Sequence, residues 1–266
     1  SSRKASSAAS DVYKRQNVKR EPGHFLLKRL GKKRLRPGGV DATDWLVSKI
    51  DFSKSPKILE VACNEADNIM DFAKKYKNKN VGVDLNEKAI ASAKANIARK
   101  KLSQYVDVMV ADATKLPFKD ESFDVVINEA MLTMLSDSQK RMALKEYYRV
   151  LKKGGLLLTH DVMLEKEDAD LVKELQRVIY NPAVPHTKND WLNFYKQTGF
   201  EKSDCIFGKM TLLSRSGMIR DEGFFGMVKI LTNGILDANR GQLFEMIKFF
   251  RKNKSKMNFI AIASVK

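Results

Sequence analysis

Three carboxylate residues, Glu60, Asp84 and Asp112, each lie at or next to the carboxyl end of a predicted buried strand. Because parallel strands align these ends along one edge of a sheet, we expect the three side chains to face one crevice, where open α/β sheets bind ligands. Asp84 follows the first loop by about 20 residues, the distance at which a carboxylate accepts hydrogen bonds from the ribose hydroxyls of a nucleoside cofactor. Asp112 is placed to accept a hydrogen bond from an adenine amine.

The loop after the first strand, in the stretch ILEVACNEADN, has the position of a cofactor loop but contains no glycine. Dinucleotides are held by a glycine-rich turn and a helix N-terminus. Here Glu65 and Asp67 flank the helix start, and their charges oppose a diphosphate. The sequence therefore predicts an adenosine cofactor without phosphates, a site that also suits a cationic molecule.

Strand-like and helix-like periods alternate from Lys57 onward, which predicts a parallel, doubly wound α/β sheet. Asn86 is a predicted N-cap, and Ser136 with Gln139 forms a predicted capping box. The helix that begins at Ser136 is expected to close at the Gly154-Gly155 pair. After Asp161 come further helices, the strand-like DCIFGKMTLLS, an amphipathic stretch within a helical insert of about 215–256, and a last strand, NFIAIASV.

The chain of 266 residues is long enough for one domain with additions, and its net charge is +17. Residues 1–16 are Ser-rich and basic, so we expect them to be disordered, a bias that transit peptides share. The segment DVYKRQ resembles a translated sequencing adapter, and we therefore leave residues 1–16 out of the functional argument. About half of the net charge lies before residue 51, which makes it mainly a property of the N-terminal arm.

Residues 17–54 form a basic N-terminal arm in which leucines alternate with cations, as in HFLLKRLGKKRLR. Pro37-Gly38-Gly39 interrupts the arm, and Thr43 is a predicted N-cap of a helix that runs to Ile50. Three interpretations are open: a solvated basic face, a lid over the cofactor, or a contact with an anion or nucleic acid.

Cys63 and Cys205 lie far apart, and no metal-site spacing of His and Cys is present in the sequence. No apolar segment has the length of a membrane span. We therefore expect no disulfide framework, no metal and a cytoplasmic location.

The blocks ILEVACNEADN, VGVDLN, VADATKLPFKDESFDVVINEAML and RVLKKGGLLL occur in this order. Together they resemble the consecutive motifs of class I S-adenosylmethionine-dependent methyltransferases, in the branch that acts on quinones and other small molecules. The resemblance covers residues 55–165, within an expected methyltransferase domain of 55–266. It implies a Rossmann-like sheet of seven strands whose last strand is antiparallel, with S-adenosylmethionine as the cofactor.

The resemblance also assigns cofactor-binding residues. Asp84 would hold the ribose, Leu85 and the run Ala111, Asp112 and Ala113 the adenine, and Asn128 the methionine part. Residues from Glu60 to Ala66 would surround the amino acid end. The family has glycines where this chain has Ala62, Asn64 and Ala66, and the methyl group of Ala66 is expected to approach the cofactor.

Methyl transfer from a sulfonium needs a general base only if the acceptor must lose a proton, since the cofactor carries the reactivity. His160 and Asp161, at the end of the fifth strand, are the best base candidates, followed by Glu129. A purely structural interpretation is also open. A histidine at a strand end often has all its hydrogen bonds made within the protein, and Glu129 could be a solvated acid in a loop.

The Met and Phe residues after the fourth strand and in the insert predict either an apolar acceptor pocket or core packing. The leading hypothesis is a methyltransferase with a small-molecule acceptor. A non-catalytic relative that only binds the cofactor or its product is the second. The third is an RNA methyltransferase, which we favour least. The sequence after the fourth strand reads NEAML, which lacks the residues that methylation of a base amine usually requires at this position. The sequence does not indicate an oligomeric state.

Overall fold

A mixed sheet forms the centre of the computed structural model, which describes residues 20–266. The predictions for residues 1–16 lie outside the described part of the chain. The strands follow the spatial order β3-β2-β1-β4-β5-β8-β7, with β6 paired to β5 off this path. They are β1 (Ile58–Val61), β2 (Asn80–Asp84), β3 (Val106–Val110), β4 (Phe123–Glu129), β5 (Leu151–Leu164), β6 (His186–Thr187), β7 (Lys202–Lys209) and β8 (Met257–Val265).

Strands β1 to β5 run parallel to one another, whereas β8 is antiparallel to both β5 and β7. This arrangement confirms the predicted Rossmann-like sheet with an antiparallel last strand. The seven predicted strands form the continuous path. The additional strand β6 was not predicted, because a strand of two residues is too short to show an alternating pattern of apolar and polar residues.

The helices of the described residues cover the sheet or extend from it. Two of them begin as predicted, because Asn86 accepts hydrogen bonds from the N–H groups of Lys88 and Ala89, and Ser136 with Gln139 forms a capping box. The helices are α1 (Gly23–Arg29), α2 (Gly39–Val47), α3 (Asp67–Tyr76), α4 (Glu87–Arg99), α5 (Asp137–Val150), α6 (Ala169–Ile179), α7 (Lys188–Thr198), α8 (Arg215–Leu236) and α9 (Arg240–Lys252), with short 3-10 helices at Phe52–Lys54 and Leu132–Met134.

Two predicted helix boundaries are wrong. Helix α2 begins at Gly39, so Thr43 lies inside the helix and its hydroxyl donates to Glu129 instead of capping. Helix α5 ends at Val150, because Leu151 already pairs with Phe123 in the sheet. Gly154 therefore lies within β5, where its φ of 73° accommodates an irregular start of the strand.

The N-terminal arm and the late helices pack together over one end of the sheet. Leu26 of α1 and Leu30, the residue after α1, share a hydrophobic cluster with Ile230 and Leu243 of the insert. Val162 near the end of β5 belongs to the same cluster. Gly223, with a φ of 76°, breaks α8 into two helical segments. Among the described residues, no helix is long and apolar enough to cross a membrane.

Candidate functional site

A cavity of about 400 Å³ lies at the carboxyl ends of β1, β2 and β4. Glu60, Asp84 and Glu129, the last or nearly last residues of these strands, line it together. The sheet therefore brings together two of the three carboxylates with which the sequence argument began, and Asp112 lies outside the cavity. The far end of the cavity is apolar, and its lining includes Leu27, Leu35, Met131, Met134, Val162, Leu175, Ile179, Met210, Leu212, Met246 and Phe250.

The loop between β1 and α3 has the backbone of a glycine loop without containing glycine. Ala62, Asn64 and Ala66 have φ values of 59°, 49° and 62°, all in the left-handed region that glycine adopts most easily. Each such residue costs about 1–2 kcal/mol relative to the right-handed form. The chain thus retains the shape of the loop at a cost in stability.

The approach of the Ala66 methyl group to the cofactor stays a prediction, and Ala66 itself lies outside the cavity lining. Ala66 is fully buried and packs in a cluster with Cys63, Ile69 and Met70, behind the cavity wall. Ala62 and Asn64 line the cavity, and Ala66 does not.

Asp84 is held in place by the loops on either side of it. Its Oδ2 accepts a hydrogen bond from the backbone N–H of Asn64 at 2.9 Å, and its Oδ1 accepts one from the N–H of Asn86 at 2.9 Å. These bonds fix the carboxylate at the cavity wall and leave each oxygen a further lone pair for a ligand.

The predicted adenine-binding residues lie beside Asp84 but outside the cavity. Ala111 donates its N–H to the carbonyl of Asp84 at 3.2 Å, which places the end of β3 next to that of β2. Asp112 is exposed and accepts from the N–H and hydroxyl of Thr114. Leu85 is 68% exposed, and Ala113 is buried.

Asn128 is fully buried at the end of β4, beside β1. Its Nδ2 donates to the carbonyl of Val61 at 2.9 Å, and its Oδ1 has no hydrogen-bond partner within the protein. It does not line the cavity, so it shapes the strand ends and leaves one acceptor unsatisfied.

Asn68 links two buried carboxyl groups. Its Nδ2 lies 2.6 Å from Oε1 of Glu60 and 3.3 Å from Oε1 of Glu129. The other oxygen of Glu60, Oε2, is buried without a partner in the protein. Sequence analysis missed Asn68, although its position in the first turn of α3, facing the strand ends, could have indicated it.

The two carboxyl groups have opposite preferences for the proton. Burial raises the pKa of Glu60 to about 8, against the lowering effects of Arg36 and Asn68. Burial also acts to raise the pKa of Glu129, but the Arg36 cation and hydrogen bonds from His160 and Thr43 outweigh it and hold that pKa at about 2. At neutral pH the pair therefore holds one proton, on Glu60.

His160 is fully buried, and both of its ring nitrogens are used. Nε2 lies 2.9 Å from the backbone N of Gly38, and Nδ1 lies 3.0 Å from Oε2 of Glu129. A backbone N–H can only donate a hydrogen bond, so Nε2 is the acceptor. The proton of the ring is then on Nδ1, which donates a hydrogen bond to Glu129. His160 does not line the cavity, and it orients Glu129 from behind.

Asp161 is also buried outside the cavity wall. Its Oδ1 accepts from the N–H and the hydroxyl of Thr133 at 2.8 and 2.9 Å, and its Oδ2 has no partner. Burial raises the pKa of Asp161 to about 7, despite the hydrogen bonds from Thr133. Of the three predicted base candidates, only Glu129 lines the cavity.

The N-terminal arm supplies two cations that sequence analysis did not single out. Lys28 lies 2.8 Å from Glu65 in an ion pair, and Arg36 donates to Asn68 at 2.6 Å and lies 3.4 Å from Glu129. Both cations line the cavity. No local pattern distinguishes them from the other cations of the arm, because their partners are distant in sequence.

Comparisons with known proteins identify the family of the chain. A family model described as a methyltransferase domain matches residues 58–155, from β1 into β5. An uncharacterized protein of Haemophilus influenzae is 50% identical over 250 residues, which is 94% of this chain and 100% of that protein. Phosphoethanolamine N-methyltransferase 3 of Arabidopsis thaliana is 30% identical over 47% of this chain and 24% of its own length.

The chain belongs to the class I S-adenosylmethionine-dependent methyltransferases. A solved phosphoethanolamine N-methyltransferase 2 of Haemonchus contortus, in complex with phosphomonomethylethanolamine and S-adenosylhomocysteine, shares the fold of this methyltransferase. Its TM-score is 0.71 at 17% identity, over 91% of this chain and 57% of that chain. The cofactor of this methyltransferase is S-adenosylmethionine. The chain spans only a quarter of the Arabidopsis enzyme, so the comparison concerns the methyltransferase domain.

Within residues 20–266 of this methyltransferase, no group of three or more His, Cys, Asp or Glu side chains has the arrangement of a metal site. Cys63 and Cys205 are both free thiols, and Cys63 is buried in the loop after β1, where it is part of the cavity lining.

Proposed function

We propose that the chain transfers the methyl group of S-adenosylmethionine to a small, partly apolar acceptor. The observation that carries this proposal is the cavity itself, which extends from a carboxylate-lined end at Asp84 and Glu60 to an apolar end at Met134 and Met246. A single space that joins a polar cofactor end to an apolar end suits two molecules placed side by side.

At the cofactor end we assign Asp84 to the ribose hydroxyls and the loop from Glu60 to Ala66 to the amino acid part. Leu85 and Ala111 to Ala113 would hold the adenine, and Asn128 would fix the wall beside the methionine part. Glu65, Asp67 and Glu129 also line this end, and their charge favours a cationic ligand. The buried Oε2 of Glu60 has no partner in the protein, and it would accept a hydrogen bond from an ammonium group once Glu60 has lost its proton.

At the other end we assign Met131, Met134, Leu175, Met246 and Phe250 to the acceptor. Methionine adapts to irregular ligands, and these side chains give little polar recognition. The arm and the insert would act as a cover, since α1 contributes Leu27 and Lys28 to the lining. Relatives named for phosphoethanolamine support the small-molecule class of the acceptor.

The chemistry asked of the protein is alignment and the exclusion of water. With a pKa held at about 2, Glu129 is a weak base but a fixed negative charge beside the cavity. We therefore assign Glu129 to electrostatic stabilisation of a cation, and His160 to the positioning of Glu129 through its Nδ1–H. The acceptor would attack with a lone pair, without prior loss of a proton.

Calorimetric titration with S-adenosylmethionine and S-adenosylhomocysteine tests the cofactor site. Asp84→Ala is expected to weaken binding at least tenfold, since a charged acceptor of two ribose hydroxyls is lost. Asp71→Ala, which removes a carboxylate 63% exposed on α3, is the matched control and should bind normally. Equal binding by both variants would refute the assignment.

Turnover with a panel of apolar and polar acceptors tests the transfer itself. Methylation of an apolar acceptor that Met134→Lys abolishes, without loss of cofactor binding, would support the proposal. Cofactor binding without turnover across the panel would favour the non-catalytic relative, and methylation of RNA with a steep salt dependence would favour the third hypothesis.

A further inference from the structure

Exposed apolar side chains concentrate on one helix of the insert. Phe225 is 86% exposed and Leu236 is 80% exposed, and Phe224, Val228 and Ile235 of the same helix, α8, are also exposed. All five follow Gly223, where the helix is interrupted. Solitary exposed apolar residues are ordinary on protein surfaces, whereas a contiguous group marks a contact site.

The five residues share the face of α8 that points away from the protein. Met227, Ile230 and Gly234 are buried, and their spacing of three and four residues defines the inward face. Ile230 packs with the arm, and Gly234 approaches Leu243 of α9. The helix therefore has two apolar faces. One packs against the rest of the protein, and the other is exposed.

The charged residues of the insert are unequally paired. The acidic residues of the insert are all engaged in ion pairs: Asp221 and Glu222 with Lys32, Asp237 with Arg29, and Glu245 with Arg20 and Arg177. Seven exposed cations of the insert have no ion-pair partner among residues 20–266, and these are Arg215, Lys229, Arg240, Lys248, Arg251, Lys252 and Lys254.

We propose that the outward face of α8 docks on a membrane surface that contains anionic lipids. Phe224, Phe225, Val228, Ile235 and Leu236 enter the boundary between headgroups and acyl chains, and the unpaired cations of the insert meet the lipid phosphates. A second copy of the chain fits this face poorly, because a two-fold contact would place the same cations against one another. The proposal concerns attachment at the surface and is independent of methyl transfer.

Flotation of the full chain with lipid vesicles, in the absence of cofactor, tests the proposal. Vesicles of phosphatidylcholine with one third phosphatidylglycerol should bind the protein at least tenfold more strongly than vesicles of phosphatidylcholine alone. The difference should shrink in 0.5 M salt, because salt screens the attraction between exposed charges. The double variant Phe225→Ser with Leu236→Ser should lose at least nine tenths of the binding.

Met142→Ser is the matched control, because Met142 is 51% exposed on α5, outside the insert. It should bind vesicles as the unchanged protein does, and thermal melts should confirm that all variants fold. Equal vesicle binding by the double variant and the control would overturn the proposal, as would no binding to anionic vesicles. A dimer in sedimentation velocity that the double variant abolishes, without vesicle binding, would assign the face to self-association instead.

Discussion

Lys28 of the N-terminal arm donates a hydrogen bond from Nζ to Oδ1 of Asn64, at 2.8 Å, across 36 residues of sequence. Asn64 is the central left-handed residue of the loop after β1, and its backbone N–H is bound to Asp84. The arm is therefore attached to the same loop that donates a hydrogen bond to the proposed ribose acceptor, Asp84.

Lys28→Ala should weaken the binding of S-adenosylmethionine two- to fivefold. The side chain is 38% exposed, so its bonds to Asn64 and Glu65 are worth about 1 kcal/mol or less. Calorimetry would measure the change. Lys49→Ala is the control, because it breaks an ion pair with Asp204 in which the lysine is exposed to a similar degree. This variant should bind S-adenosylmethionine as the unchanged protein does.

Replacing the two loop alanines by glycine should have different effects on stability. Ala62→Gly relieves a left-handed alanine and should raise the free energy of unfolding by up to about 1 kcal/mol. Ala66→Gly relieves the same strain but removes a buried methyl group worth about 1 kcal/mol, so the net change should be near zero. Urea denaturation would measure both values, and equal stabilisation by the two variants would contradict the buried position of Ala66.

Lys32→Met should lower the free energy of unfolding by about 3 kcal/mol. The side chain of Lys32 is fully buried and its Nζ lies 3.3 Å from Asp221 and 3.6 Å from Glu222, so the change leaves two buried carboxylates without their cation. Chemical denaturation would measure the loss. The neighbouring Lys33→Met, at an exposed position, should change stability by less than about 0.5 kcal/mol, and similar losses in both variants would contradict the burial of this cluster.

Glu60→Gln should change how stability depends on pH. The pKa of Glu60 is about 8 in the folded protein, whereas the ordinary value of 4.5 applies to the unfolded chain. As pH rises, the unfolded chain therefore loses this proton before the folded protein does. The contribution of Glu60 is thus fully present below pH 4.5 and is lost between pH 4.5 and 8. Relative to the unchanged protein, Glu60→Gln should gain about 4 kcal/mol between pH 5 and 8.5 in denaturation experiments without cofactor.

Glu129→Gln should change the pH dependence of stability in the opposite direction. The pKa of Glu129 is lowered to about 2, so its contribution is present above pH 4.5 and is lost as pH falls towards 2. The variant should be less stable than the unchanged protein at pH 7, and the difference should shrink at pH 3. Parallel pH profiles for the two variants would refute the opposite protonation of Glu60 and Glu129.

Local patterns were sufficient to predict the sheet. Strands such as Ile58–Val61 and Phe123–Glu129 are short, mainly apolar segments between turn signals, and Asn86 and Ser136 carry side chains that cap helices by themselves. The boundary at Leu151 could not be predicted in the same way. It depends on pairing with Phe123, 28 residues earlier in the chain, which outweighs the turn preference of Gly154-Gly155.

The candidate site was predictable only where strand ends determine it. Asp84 and Glu60 follow from the topology of a parallel sheet, whereas Arg36 reaches Glu129 through a fold of the arm that no local period reveals. The run KRLGKKRLR reads as one basic face, yet Lys32 in its centre is buried against residues about 190 positions away. His160 was predicted as a base because the sequence pattern placed it at the end of the fifth strand, but β5 continues to Leu164. Its hydrogen bond from Gly38 emerges only in three dimensions.

The left-handed backbone at Ala62, Asn64 and Ala66 also has a consequence for genome annotation. A pattern search that requires glycine at these positions would discard this chain, although its loop has the required conformation. What the loop requires is a series of dihedral angles, and alanine and asparagine can adopt them when the surrounding packing offsets the cost. A profile that scores the tolerance of positive φ, in place of residue identity, would recover such divergent members.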